Sequence, residues 1–233
     1  CELLAQSACF TDNVHLPRSS VIVDKVGILA PSMASDYPLH ISANCNWLIS
    51  IDQATPQWIS ISPEGGLVNG AAYLTLDSND GEGREATVKV YSKDDPSVYT
   101  IITVKQPVKG GQIAIADLRL LESNLSVGTP SYAITEDWKV RGVINTVSRA
   151  ANLPGAIFGL QDSKEAGSGI MVRPVEMIWE NDFGDEVEIS LKNSVLTKDD
   201  NGILEIQPAS NDVINLTGST KMQLEPVVIT YAD

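Results

Sequence analysis

Every odd position from Leu39 to Ile51 is apolar: Leu39, Ile41, Ala43, Cys45, Trp47, Ile49 and Ile51. His40, Ser42, Asn44, Asn46 and Ser50 alternate with them and Asp52 follows, Leu48 being the one apolar interloper. A repeat of two matches the pleat of a β-strand and not the 3.6-residue turn of a helix. The segment therefore predicts one long strand with a buried face and a wet face, and the rest of the fold must supply a second layer to cover the buried one.

Shorter runs of the same kind lie at 21–26, 58–62, 72–77, 86–92 and 99–106, separated by Pro, Gly, Asn and Asp clusters such as Pro63-Glu64-Gly65-Gly66 and Asn79-Asp80-Gly81. Six short strands in under about 100 residues, with no helical period between them, predict an antiparallel sandwich over residues 21–107. Parity assigns Ile41, Trp47, Ile49, Ile59, Ile61, Leu74, Leu76, Val88, Val90, Ile102 and Val104 to its core. The opposite parity carries Tyr73, Thr75, Thr87, Lys89, Tyr91, Tyr99, Thr103 and Lys105. Asn79-Asp80-Gly81 reads as a hairpin turn. The nearby Asp77, Asp80, Glu82 and Glu85 fit no EF-hand spacing, so turn chemistry accounts for them better than calcium does.

Several landmarks in this stretch resemble a known family. Asn46-Trp47, Trp58-Ile59-Ser60-Ile61-Ser62-Pro63, Gly66, Asn79, Arg84-Glu85-Ala86-Thr87-Val88 and Val104-Lys105-Gln106 look like the BACON domain, an immunoglobulin-like sandwich of Bacteroidetes surface proteins and glycan-degrading enzymes. The resemblance implies the sandwich fold and carbohydrate or mucin as ligand. It fixes no individual contact, and the Trp and Arg positions read as structural.

Candidate contacts come from the wet face instead. Tyr73, Tyr91 and Tyr99, with Lys89 beside them, are placed on one sheet face as a sugar platform, because aromatic rings stack on the apolar faces of pyranoses while the phenol tolerates water. The alternative is ordinary strand chemistry, since Tyr and Thr suit exposed pleated surfaces with no ligand at all.

Residues 108–111 form the expected linker: Pro107 ends a ladder, and Gly110-Gly111 supply flexibility. Residues 113–122 have helical spacing at Ile115, Leu118, Leu121 and Glu122. Strands are then predicted at 139–147, 156–161, 169–172, 186–191 and 203–207, with Gly142, Gly159 and Gly169 where a small barrel coils, and a connector at 175–179. That order predicts an OB-fold-like barrel over residues 112–233. Ile115-Ala116-Asp117-Leu118, Val140-Arg141-Gly142-Val143-Ile144, Leu160-Gln161-Asp162, Gly184-Asp185-Glu186-Val187 and Leu204-Glu205-Ile206 resemble a Bacteroidetes OB-fold-like domain of unknown function. This second resemblance implies a surface lipoprotein and says nothing of chemistry. The fold class expected for the chain is thus all-β, a sandwich followed by a barrel with short helices.

Charge excludes whole classes of partner. The chain carries a formal −14, with seven basic against twelve acidic residues up to Gly110 and nine against eighteen after it. A nucleic-acid groove or a polybasic membrane helix needs cations that neither half supplies. No run approaches the ~20 apolar residues of a membrane span.

Cys1 suggests the processed terminus of a bacterial lipoprotein, cleaved before a cysteine that receives lipid, with residues 1–20 as tether; the alternative is an arbitrary boundary. Cys9 and Cys45 could pair in an exported protein, but Cys45 sits on the apolar parity, where a free thiol packs as a small hydrophobe.

No catalytic pattern survives inspection. His15 falls in the tether and His40 on the wet parity, so no Ser/His/Asp triad or zinc site can be assembled, and no Gly-x-Ser-x-Gly, His-Glu-x-x-His or Walker loop is present. Gly167-Ser168-Gly169 reads as a turn, and Asp182/Asp185 and Asp199/Asp200 occur in Asn/Gly contexts where Asp folds the backbone. The expectation is a protein that is not an enzyme and needs no cofactor or metal. Its expected partners are a glycan or an outer-membrane protein complex, with a lipid anchor in the outer membrane at the cell surface.

Overall fold

The computed structural model describes residues 18–53, 57–125, 128–147, 156–176 and 182–218. Cys1, Cys9 and His15, and with them the expected lipid site and most of the tether, lie outside the described residues, as do Trp179 and Tyr231. The chain is all-β, with one short α-helix among the described residues.

Nine strands come first: β1 (Val21–Val23), β2 (Gly27–Leu29), β3 (Ser35–Ala43), β4 (Trp47–Gln53), β5 (Ile59–Ser62), β6 (Gly65–Gly66), β7 (Gly70–Leu76), β8 (Arg84–Ser92) and β9 (Tyr99–Gln106). They form two sheets, β1-β3-β7-β5 and β2-β9-β8-β4-β6, antiparallel throughout except for β2 beside β9. The inward residues Leu39, Ile41, Trp47, Ile49, Leu74, Leu76, Val88, Val90, Ile102 and Val104 pack as one core between the sheets. This is an immunoglobulin-like sandwich, and of the residues that parity assigns to its core only Ile61 is partly exposed.

The long alternation is not one strand. It breaks after Ala43, and β3 and β4 lie in opposite sheets, with residues 44–46 arching between them. Thirteen extended residues would span roughly 43 Å, about twice an ordinary strand. The period survives the arch because each strand turns its odd residues to the same core from its own side. Asn79 corrects a second expectation in the same way. β7 and β8 also belong to opposite sheets, so residues 77–83 form an arch and not a hairpin. The Asn79 side chain is buried there, donating to the carbonyls of Glu82 (2.8 Å) and Gln106 (3.4 Å) and accepting from the Gly81 N–H.

The second part opens with α1 (Ile115–Leu118), continued by a 3-10 segment, Arg119–Asn124. Its strands are β10 (Ser131–Ala133), β11 (Lys139–Val147), β12 (Phe158–Gln161), β13 (Gly169–Val172), β14 (Glu186–Ser190), β15 (Val195–Lys198), β16 (Leu204–Gln207) and β17 (Ile214–Leu216). They form a single sheet, β10-β15-β16-β13-β12-β11-β14-β17, in which β13 and β16 run parallel. The expected barrel does not close: among the described residues β10 and β17 are edges with one neighbour each. Short strands at both ends, β10, β15 and β17, extend the sheet past the five expected ones, and three or four residues each is too little apolar pattern to read from sequence. Gly142 is needed where β12 passes closely, since a Cβ there would stand 2.7 Å from the Gln161 carbonyl oxygen.

The linker is held, not loose. Gly111 donates to the Val108 carbonyl, Lys139 donates to Gly111, and Ile113 donates to Lys139. Leu29 leaves its own sandwich and packs in the second core with Ile113, Leu118 and Leu121. Gly27, two residues before it, lets Leu120 approach closely, since a Cβ there would stand 2.8 Å from Leu120 Cδ2.

Candidate functional site

The outer face of the β2-β9-β8-β4-β6 sheet carries two cross-strand rows. Leu48, Tyr91 and Tyr99 stand opposite one another in the first, and Ser50, Lys89 and Ile101 in the second. Strand alternation places all six outward, because Ile49, Val88, Val90 and Ile102 take the inward positions. The Lys89 ammonium lies 4.4 Å from the centre of the Tyr99 ring and 5.5 Å from that of Tyr91, inside cation–π range. Tyr99 is 49% exposed and Ile101 45%, so the patch is open to solvent.

Tyr73 does not belong to it. It lies on β7, in the other sheet, 57% exposed and opposite Pro38 and Ser62. Parity predicts that a residue faces outward but not from which sheet, and the arch at 77–83 separates β7 from β8. The single three-tyrosine platform is therefore corrected to a pair, Tyr91 and Tyr99, with Lys89 over both. Leu48 and Ile101 complete the patch and were not anticipated. The signal for Ile101 was present in the Ile101-Ile102 doublet, where parity with Tyr99 turns the first isoleucine outward.

The patch occupies the end of the sandwich where β4 begins and β8 ends. At that same end Leu67 (72% exposed) and Val68 (52%) follow β6. Val68 has φ 44°, a left-handed conformation that a β-branched residue adopts only under constraint. Trp47 supplies part of that constraint, its Nε1–H donating to the Val68 carbonyl at 2.7 Å.

The other landmarks tie the sandwich together. Arg84 lies 4.6 Å from the Trp58 ring centre and donates to Gln106 Oε1 and to the carbonyls of Asp77 and Ser78. Gln106 in turn donates to the carbonyls of Pro31 and Asp77. Trp58 is buried, and the whole set closes one end of the fold, which accounts for these residues without a ligand.

A cleft of about 610 Å³ lies between the two parts, lined by Lys105, Asp117, Arg141, Asp162 and Glu186 among others. Lys105 pairs with Asp117, Arg141 pairs with Glu186, and Asp162 accepts the Ile115 N–H at 2.6 Å. Hydrogen bonds from Arg141 and then Thr217 hold the Glu186 carboxyl below its usual range, so it is a poor proton donor at neutral pH.

Among the described residues no three His, Cys, Asp or Glu side chains come together as a metal site. His40 is exposed on β3, its backbone N–H donating to the Asp24 carboxylate. Asp199 accepts the backbone N–H of Asn201 and of Ile203, folding the β15–β16 turn. The half-buried Cys45 thiol points to the Ser20 carbonyl, 3.8 Å away. No helix among the described residues is long and apolar enough to cross a membrane.

No family model and no curated protein matches the chain. Among solved structures, a Bacteroides ovatus GH5 xyloglucanase in complex with a XXXG heptasaccharide is similar at 24% identity and TM-score 0.34, over 41% of this chain. That match spans only 20% of the xyloglucanase. The PapD-like domain 7 of human CEP192 is similar at 12% identity and TM-score 0.31, over 46% of this chain and 97% of that domain. The SrpA adhesin of Streptococcus sanguinis is similar at 9% identity and TM-score 0.31, over 82% of this chain and 94% of the adhesin. Similarities of this size carry neither activity nor ligand from those proteins to this one.

Proposed function

We propose that the chain is a non-catalytic glycan-binding protein of the outer-membrane surface and that Lys89, Tyr91 and Tyr99 form its contact. One observation carries the proposal: an ammonium is stationed over two neighbouring tyrosine rings on an outward, solvent-exposed sheet face. Two cross-strand rows spanning three strands suit an extended saccharide chain, the phenols offer their hydroxyls, and the flanking Leu48 and Ile101 supply apolar area. Calorimetric titration with a panel of plant and host glycans tests it. Tyr91→Ala and Tyr99→Ala are expected to weaken binding at least tenfold, and Tyr73→Ala, on the opposite sheet, to leave it unchanged. Absence of binding to every glycan sinks the proposal. Surface location rests on the two family resemblances and is tested by whether an antibody against the chain labels intact cells.

A second reading, an accessory subunit of an outer-membrane complex, is favoured by Leu67 and Val68, two adjacent apolar side chains held outward at one tip of the sandwich. Pull-down from detergent-solubilised native membranes distinguishes it. A protein that always runs alone removes this reading, whereas a partner released by Leu67→Asp supports it.

A further inference from the structure

We infer that the saccharide taken on the Lys89–Tyr91–Tyr99 face carries an acidic group, either the carboxylate of a uronic acid or a sulfate ester. This deepens the glycan reading and rests on it.

Lys89 forms no ion pair among the described residues, in a chain whose formal charge is −14. Other lysines show what acidic neighbours do here: Lys105 meets Asp117, Lys139 meets Glu188, Lys192 meets Asp137 and Lys198 meets Glu122. Across the ladder Lys89 faces Ser50 on one side and Ile101 on the other, while Asp52, on the same face, stands opposite Thr87 and forms no ion pair with Lys89. Asp95, in the loop joining β8 to β9, is occupied by the hydroxyl and backbone N–H of Ser97.

The ring contacts settle what this cation can do. With the ammonium 4.4 Å from the Tyr99 ring centre, that ring face is already taken, so a neutral sugar cannot stack on it without displacing the lysine. An anionic group needs no displacement. It can accept from the Lys89 ammonium, which has three donors and only π-faces as fixed neighbours, while the tyrosine hydroxyls reach adjacent sugar oxygens. The net negative charge of the protein opposes a polyanion at long range, but solvent screens that field beyond about 8 Å at physiological salt, and a direct contact to Lys89 lies inside it. Selection is thus local, made by one cation in a fixed place.

The test titrates the whole chain with three oligosaccharides of equal length: an oligogalacturonate, its fully methyl-esterified counterpart, and a sulfated galactan oligomer. Binding of the oligogalacturonate or the sulfated oligomer about tenfold tighter than of the methyl ester is expected, in line with one charge-assisted hydrogen bond. Whichever of the two acidic ligands binds tighter identifies the group. Lys89→Met should abolish the preference while leaving the melting temperature within a few degrees, and Lys89→Arg should retain it. Equal binding of all three overturns the inference and leaves the glycan reading standing. Binding of none overturns both, and acid preference undiminished in Lys89→Met moves the site elsewhere.

Discussion

The Lys105 ammonium lies 2.7 Å from the Asp117 carboxylate, joining the last strand of the sandwich to the helix that opens the second part. The hydrogen bond to Asp117 is the main cause that raises the Lys105 pKa. Both groups are partly exposed, so a double-mutant cycle with Lys105→Ala and Asp117→Ala should give a coupling of about 0.5–1 kcal/mol that shrinks in high salt. Leu29 holds the same junction by burial and should matter more. Leu29→Ala is expected to cost about 2–5 kcal/mol and to split a single calorimetric unfolding transition into two. A single transition in that variant would show that the two cores are coupled by other contacts.

Arg173 grips Glu205 with two hydrogen bonds of 2.8 and 2.7 Å, and the Glu205 side chain is only 3% exposed. The pair sits where β13 and β16 run parallel, Arg173 also donating its backbone N–H to Ile206. Arg173→Met leaves a buried carboxylate without its partner and should cost about 3–5 kcal/mol in urea denaturation. Arg173→Met combined with Glu205→Leu should recover most of that loss, because the uncompensated charge is what destabilises.

The inward and outward faces of the sandwich were legible in the sequence, since Leu39, Trp47, Leu74, Val88 and Ile102 are placed by parity alone. Sheet membership was not. Residues 44–46 and 77–83 carry the chain between sheets without disturbing parity, so Tyr73 and Tyr91 read as neighbours when they lie on opposite faces of the molecule. In the second part β11 and β13 were legible to the residue, because their apolar runs are bounded by turn chemistry. β10 and β17 have almost no pattern, their positions being set by pairing with β15 and β14. The cation over the tyrosines depends on cross-strand register, which no local signal specifies.

Trp47 and the glycines beside it form a tight fit. A Cβ on Gly66 would stand 2.4 Å from Trp47 Cζ2, and one on Gly70 3.0 Å from the same atom. Gly66→Ala should therefore destabilise the sandwich by about 1–3 kcal/mol, with a lowered melting temperature. Val68, close by, should behave in the opposite sense. Replacing it with glycine removes the left-handed strain at φ 44° while keeping the carbonyl that Trp47 uses. Val68→Gly is expected to hold stability or raise it by about 1 kcal/mol, the relief of strain outweighing the entropy cost of glycine.

Tyr37 on β3 and Tyr132 on β10 bring the alkaline limit of the fold to the junction between the two parts. Burial raises both phenol pKa values, and the Glu136 carboxylate adds to the rise in each. A group whose pKa is raised on folding contributes stability that is complete below its unfolded value, about 10 for tyrosine, and that is lost as pH climbs through the folded value. Stability should therefore be flat with respect to these two groups from neutrality to about pH 9 and decline above pH 10. Tyr37→Phe and Tyr132→Phe remove the ionising hydroxyl and should each flatten the decline. Urea midpoints measured from pH 8 to 11, with tyrosinate absorbance near 295 nm followed in parallel, check this. An alkaline loss identical in the wild type and in the double phenylalanine variant would assign it to other groups, and the lysine ion pairs at Lys105 and Lys192 would be the next to substitute.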